Sequence, residues 1–380
     1  MKEVVIAGYC RSPFTPAHKG LLAKTRPDDL AAGVIKGLVT QTGVPPDDIE
    51  DLILGCAFPE GEQGLNLARL VVHLAKMPVT IAGMTINRFC GSSMQAIHAA
   101  AGAVQMNAGE AFICAGIESM SRIPMGGFNM MPNPDLYENY PQAYIGMGQT
   151  AENLAVRYQI SRSEQEVFSL ESQQKAEAAR QNGAFVDEIV PIALSDDRFL
   201  SEDGCIRPDS TLAALAELPP AFDAAGTVTA GTSSPLTDGA AAVLVCSEDY
   251  ADRRGLTKIA RIKAIAVSAC LPEIMGIGPV QATHKALQRA GLTLDDIDIV
   301  ELNEAFAAQA LAVLKELPVP LNRLNLDGGA IALGHPLGAT GARITGKAAS
   351  LLKREKARYA LATQCIGGGQ GIATILEAIS

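Results

Sequence analysis

Cys90 stands in Thr85-Ile-Asn-Arg-Phe-Cys90-Gly-Ser-Ser-Met-Gln-Ala96, where a strand-like run gives way to a helix rich in small residues beginning at the cysteine. A thiol at a helix N-terminus feels the positive end of the helix dipole, which favours the thiolate. Gly91 and Ser92 leave room for a substrate beside the sulfur. The competing reading is a buried cysteine serving as a small apolar filler.

His335 lies in the densest glycine segment, Asp327-Gly-Gly-Ala-Ile-Ala-Leu-Gly334-His335-Pro336-Leu-Gly338-Ala-Thr-Gly341. A side chain between Gly334 and Pro336 sits on unusual, well-fixed backbone that can aim an imidazole; turn hydrogen bonds alone would also account for it. His18, His73, His98 and His284 lie in plainer settings, His98 inside a packed helix. Cys365 opens Cys365-Ile-Gly367-Gly368-Gly369-Gln370-Gly371, directly after the strand-like YALAT. Consecutive glycines expose backbone N–H groups, the material of an oxyanion hole, and equally of a hairpin turn. Asn303 follows another strand-like run, where its amide can hold an oxygen or a water, or cap a helix.

Gly341-Ala-Arg-Ile-Thr-Gly346-Lys347-Ala348 nearly matches a phosphate-binding loop. Ala348 lacks the hydroxyl that would hold magnesium, and the glycines fall at helical spacing, so nucleotide binding is set aside. Gly367–Gly371 resembles a dinucleotide loop only loosely, with no βαβ unit after it.

The elements that position these residues repeat. Gly43-Val-Pro-Pro-Asp-Asp-Ile49 and Gly291-Leu-Thr-Leu-Asp-Asp-Ile297 each follow an amphipathic helix and run into a strand-like segment. The displacement that carries Gly43 onto Gly291 also carries Ala111–Ala115 onto Tyr359–Thr363 and Cys90 onto Gly338. Gly239–Val245 resembles Gly371–Leu376 at a shorter displacement, which predicts an insertion in the first copy between about residues 118 and 238. The strands alternate with helices, predicting α/β layers. The insertion carries Pro- and Gly-rich loops from Pro124 to Pro141, then a polar helix over about 161–182 opened by the capping-box pattern Ser161-Arg-Ser-Glu164. Its composition is that of a loop domain covering a site.

Composition bounds the partners. The 380 residues exceed one compact core, and 48 % hydrophobic against 19 % charged residues describes a well-buried globular chain. The net charge of −10, with no basic stripe, argues against nucleic acid. The 8 cysteines form no CxxC clip, which removes zinc ribbons and thioredoxin motifs and fits reduced thiols in a cytoplasmic protein. The start, MKEVVIAGYCRSP, reads as a strand rather than a signal peptide, and no apolar run is long enough to span a membrane.

Taken together, NRFCGSSMQA, TAGTSSPLTDGAA, ELNEAFAAQ, GGAIALGHPLGATGARI and CIGGGQG resemble the thiolase family, in the family's order and over essentially the whole chain. The resemblance implies a five-layered αβαβα fold of two related halves: residues 1–117 with 239–253, a loop domain at 118–238, and residues 254–380. It implies Cys90 as the nucleophile that takes an acyl group, His335 as its base, and Cys365 as the acid/base at C2 of acetyl-CoA. Asn303, through a water, and His335 would stabilise one thioester oxygen; the N–H groups of Cys90 and Gly367 would stabilise the other. Ser234, Met147, Met275 and Phe306 match positions lining the coenzyme A or acyl pocket.

Such chemistry requires no metal or redox cofactor; coenzyme A is a substrate, with 3-ketoacyl-CoA and acetyl-CoA. Cys-Gly-Ser-Ser-Met, PEGEQGLNLAR and MGIGPV resemble the degradative branch, which cleaves 3-ketoacyl-CoA in fatty-acid β-oxidation. The biosynthetic acetyl-CoA acetyltransferases usually hold Gly and His where Ser93 and Gly146 stand. A non-catalytic lipid or coenzyme A carrier of this fold would have lost a reacting side chain; Cys90, Asn303, His335 and Cys365 are all present. A ketoacyl synthase would hold a second histidine where Cys365 stands. Members are homodimers or homotetramers, and degradative ones can pair with a hydratase/dehydrogenase subunit.

Overall fold

The computed structural model describes residues 2–195 and 198–379. Nine principal strands order the chain: β1 Val4–Arg11, β2 Asp51–Gly55, β3 Ala82–Ile86, β4 Ala111–Ser119, β5 Thr237–Ser247, β6 Ala260–Ala269, β7 Ile299–Leu302, β8 Tyr359–Ile366 and β9 Gln370–Glu377. They share one sheet in the order β7-β8-β9-β6-β1-β5-β4-β2-β3, with the short strand Thr15–Pro16 paired to β5. The order is a near-palindrome about the β6–β1 pair, whose ladder joins only Val5 to Arg261 and Ile6 to Ala260. Outward from that seam, β5, β4 and β2 of one half answer β9, β8 and β7 of the other. The duplication read from the sequence is thus the architecture.

Eight helices cover and fill the sheet: α1 Pro27–Thr42, α2 Leu67–Leu74, α3 Ser92–Gln105, α4 Met147–Arg157, α5 Arg162–Gln181, α6 Gly278–Ala290, α7 Ala307–Glu316 and α8 Leu337–Arg354. Strand side chains alternate between faces, and the two faces find different partners. Leu52 and Leu54 of β2 share an outer core with Leu30, Ile35 and Leu38 of α1 and Leu67 and Val71 of α2. Ile53 between them turns inward to Met94 and Ile97 of α3 and Ile344 and Leu351 of α8. In the second half Leu361 joins α6 and α7 outside, while Ala360 and Ala362 join α3 and α8 inside. The sheet folds at the β6–β1 seam so that both halves face α3 and α8, and the layers are helix, half-sheet, helix pair, half-sheet, helix, the expected αβαβα arrangement. The repeat extends to helix ends: α1 and α6 both stop at a left-handed glycine, Gly43 (φ 67°) and Gly291 (φ 69°).

The central pair α3 and α8 is close because its residues are small. A Cβ on Gly338 would lie 2.6 Å from the Ile117 carbonyl oxygen and 2.8 Å from the Gly55 oxygen. Only glycine lets the start of α8 sit on the ends of β2 and β4. Ser93, a residue that separates the two branches in the sequence comparison, accepts the Ala342 N–H at 2.8 Å, so it locks α3 to α8 rather than facing a substrate.

Between β4 and β5 the chain makes its long excursion, leaving and rejoining the sheet through adjacent antiparallel strands. α5 starts with the expected capping box: Ser161 Oγ accepts the Glu164 N–H, and the Glu164 carboxylate accepts the Ser161 N–H at 2.6 Å. α4 lays Leu154 beside Ala312 of α7, and Ser172 of α5 donates to Glu304 at 2.6 Å. The excursion so rests on the second half, beside the ends of β7 and β8. Among the described residues no helix is long and apolar enough to cross a membrane.

Candidate active site

Four segments meet where α3 and α8 begin and β7 and β8 end. The helix expected to begin at Cys90 begins at Ser92, with Gly91 as its cap. Cys90 itself occupies a tight turn: Ser92 N–H donates to the Phe89 carbonyl, and Phe89 takes φ 42°, a strained angle for an aromatic residue. The Gln364 side-chain amide donates to the Cys90 carbonyl, tying this turn to β8. The sulfur packs in a buried cluster with Ala17, Ala57, Met120 and Leu337.

The expected thiolate is not the resting form. Burial pushes the Cys90 thiol up to about 12, outweighing the opposite pull of the backbone N–H groups of Gly367 and of Cys90 itself. The sequence signal was local, a helix end; desolvation depends on everything packed around the turn. Cys365, wholly buried in β8, interacts electrostatically with Cys90, and burial raises its thiol well above the usual range. Both thiols therefore rest protonated.

His335 precedes α8, held by Gly334 at φ 99°, an angle that leaves glycine as the comfortable residue there. Its N–H donates to Thr237 Oγ1 at 3.0 Å. The imidazole is 5 % exposed, and burial, with the Arg343 charge, lowers it to about 3. It is a neutral ring at working pH and so can accept a proton. Nδ1 lies 2.6 Å from Thr340 Oγ1, and Nε2 lies 3.3 Å from Asn303 Nδ2.

Asn303 follows β7, its N–H donating to the Thr363 carbonyl at 3.0 Å. It caps no helix, since α7 begins at Ala307 with Phe306 as its cap. Its Oδ1 is buried without a hydrogen-bond partner, as is Gln364 Oε1.

The pocket residues named from the sequence gather beside Cys365. Met147, Met275 and Phe306 belong to one cluster with Cys365, Ala305 and Val228. Ser234 reaches the same place: its N–H and Oγ both contact the Ala305 carbonyl at 3.0 Å. Gly367 begins the β8–β9 turn, where Gly368 and Gly369 take positive φ; the hairpin and the N–H donor are one structure. The phosphate-loop decoy is an interior stretch of α8.

The sequence reading missed Thr340, Gln364 and Glu118. Glu118 is wholly buried and accepts N–H groups from Ala57 (2.8 Å), Phe58 (3.2 Å) and Gly338 (2.9 Å) and the Gln63 amide (2.8 Å). It ties the Cys90 side of the site to the start of α8, and burial raises its carboxyl. A lone carboxylate closing the apolar run AFICAGI was the available signal.

A nucleophilic thiol, a neutral imidazole, a second thiol and two backbone N–H donors suit acyl transfer through a covalent intermediate. Among the described residues, no three His, Cys, Asp or Glu side chains are placed to hold a metal ion.

Family models match nearly all of the chain: the thiolase N-terminal domain over residues 4–249 and the thiolase C-terminal domain over residues 256–378. A 3-ketoacyl-CoA thiolase of Bacillus subtilis is 44 % identical over 389 residues, covering 99 % of this chain and 100 % of that protein. One from Vibrio cholerae is 49 % identical over 387 residues, with the same coverage. The crystal structure of human mitochondrial 3-ketoacyl-CoA thiolase superposes with a TM-score of 0.92 at 39 % identity, covering 100 % of this chain and 99 % of that one. The same human enzyme in complex with CoA gives 0.92, covering 100 % and 98 %.

Proposed function

This chain belongs to the thiolase family, and on that premise we propose that it cleaves 3-ketoacyl-CoA with coenzyme A, giving acetyl-CoA and a shortened acyl-CoA. It is an acyltransferase. The observation that carries the reading is the meeting of the Cys90 turn, tied to β8 by the Gln364 amide, with the buried His335–Asn303 pair, whose Nε2 and Nδ2 lie 3.3 Å apart.

Cys90 attacks the 3-keto carbonyl as its proton passes to Nε2 of His335, so charge appears only with substrate bound. The oxyanion on the attacked carbon falls to the backbone N–H groups of Cys90 and Gly367. The C2–C3 bond then breaks, its electron pair moves to the thioester enolate, and Cys365 delivers a proton to C2, releasing acetyl-CoA. The enolate oxygen is held by Asn303 and by the His335 N–H formed in the first step. His335 passes its proton to the Cys365 thiolate; coenzyme A then enters, gives its thiol proton to His335 and attacks the acyl-Cys90 carbonyl. The sulfur of Cys90 leaves and recovers its proton from His335. Ser234, Met147, Met275 and Phe306 line the thioester arm.

Self-association accompanies this reading. β3 is an edge strand, and Leu65, Leu70, Val79 and Met84 around it are 88, 40, 72 and 40 % exposed. An open edge beside apolar side chains suits a second copy of the chain. A homodimer or homotetramer in a cytoplasmic β-oxidation route, alone or with a hydratase/dehydrogenase subunit, is the setting proposed.

The test is coenzyme A-dependent thiolysis of acetoacetyl-CoA and a long-chain 3-ketoacyl-CoA, with Cys90→Ala as control. Long-chain turnover lost in that variant supports the proposal. Turnover of acetoacetyl-CoA alone assigns an acetyltransferase, and turnover surviving Cys90→Ala overturns it.

A further inference from the structure

We propose that Thr340 is a positioning residue that fixes the tautomer of His335, keeping Nε2 unprotonated and able to accept a proton. The inference rests on the role given above to His335.

Thr340 lies in the first turn of α8, four residues after Pro336. Its hydroxyl donates to the Pro336 carbonyl at 3.0 Å, the bond that helical threonines make to the carbonyl one turn back. His335 Nδ1 sits 2.6 Å from the same oxygen. With its only proton committed to Pro336, Thr340 Oγ1 meets the imidazole as an acceptor. Nδ1 must therefore carry the ring proton, and Nε2 is left unprotonated, an acceptor. The far side of the ring agrees: Asn303 Nδ2 is a donor at 3.3 Å from Nε2. Both ends of the imidazole thus specify one tautomer.

Thr340 is wholly buried, so no water competes for Oγ1. Left to itself a neutral imidazole favours the other tautomer, with the proton on Nε2, which could take no proton from a thiol. The spacing is also economical: Pro336 caps α8, supplies the carbonyl that orients Thr340, and fixes the backbone of His335 before it.

Two readouts separate this role from simple packing. Protein labelled with 15N at its 5 histidines reports tautomers through two-bond 1H–15N correlations, with His335→Asn assigning the signal. The wild-type signal should show a protonated Nδ1, Thr340→Val should move the proton wholly or partly to Nε2, and Thr340→Ser should restore the first pattern. In kinetics, Thr340→Val should lower kcat for thiolysis by about 10–100-fold with little change in KM for coenzyme A, and Thr340→Ser should recover most of it. Thr340→Ala serves if the valine variant does not fold. A wild-type Nε2–H signal, or a Thr340→Val spectrum identical to wild type, overturns the proposal. Turnover that survives His335→Asn would instead sink the function assigned to His335, leaving the tautomer result standing.

Discussion

Asn303 Nδ2 lies 3.3 Å from His335 Nε2, and the other end of the same amide, Oδ1, is buried with no partner. The two side chains come from the end of β7 and the start of α8 and form one wall of the site. Removing the amide should leave the fold intact and take away one of the groups that hold the enolate. Asn303→Ala should lower kcat by about 10²–10³-fold. Single-turnover kinetics would check it; a loss confined to KM would place Asn303 in binding alone.

Cys365 is assigned to the proton at C2, not to the acyl group. Cys365→Ser should therefore slow carbon–carbon cleavage by about 10²–10⁴-fold. Exchange of labelled coenzyme A into acetyl-CoA, which breaks no carbon–carbon bond, should survive through Cys90 and His335. Equal loss of both activities would show that Cys365 serves the nucleophile instead.

Gly146 stands next to Met147, and a Cβ built on it meets nothing within 4 Å. That open space is where the biosynthetic branch holds a histidine. Gly146→His should cut turnover of a long-chain substrate by about 10-fold or more relative to acetoacetyl-CoA. The ratio of the two kcat/KM values is the measurement; an unchanged ratio would put the acyl chain elsewhere.

His98 of α3 is buried, with Nε2 2.8 Å from Thr374 Oγ1. Burial, with Arg88 and Arg289, lowers it from 6.5 to about 3. A folded-state value below the unfolded one means that the unfolded chain binds more protons between the two. Stability is full above about 6.5 and falls as the pH drops through that window. At pH 5 the deficit is about 2 kcal/mol. His98→Gln should flatten the fall in urea stability between pH 7 and pH 5 by that amount. An identical pH slope in variant and wild type would refute it.

Much of this was legible in the sequence because it depends on local signals. Gly43 and Gly291 betrayed the duplication because a helix that ends in a left-handed turn selects glycine. Ser161 and Glu164 marked the start of α5 because both capping bonds lie within one turn. Cys90, His335 and Cys365 stood out by the odd backbone around them. What stayed hidden depends on distance in the chain. Glu118 acts on Gly338, 220 residues away, and Gln364 on Cys90, 274 residues away. The resting state of Cys90 was misread for the same reason: the helix dipole is local, and the burial that overrides it is assembled from both halves.

A fold built twice should offer its crevice twice. The displacement that carries Cys90 onto Gly338 carries Gly55 onto Asn303 and Ile117 onto Cys365. The second crevice therefore lies where α8 meets the ends of β2 and β4, and there the Gly338 N–H is answered by Glu118. A carboxylate thus accepts the N–H that corresponds to that of Cys90, where the proposed mechanism puts a transient oxyanion. Converting Glu118 to a small neutral residue would reopen a dormant seat rather than merely loosen a joint.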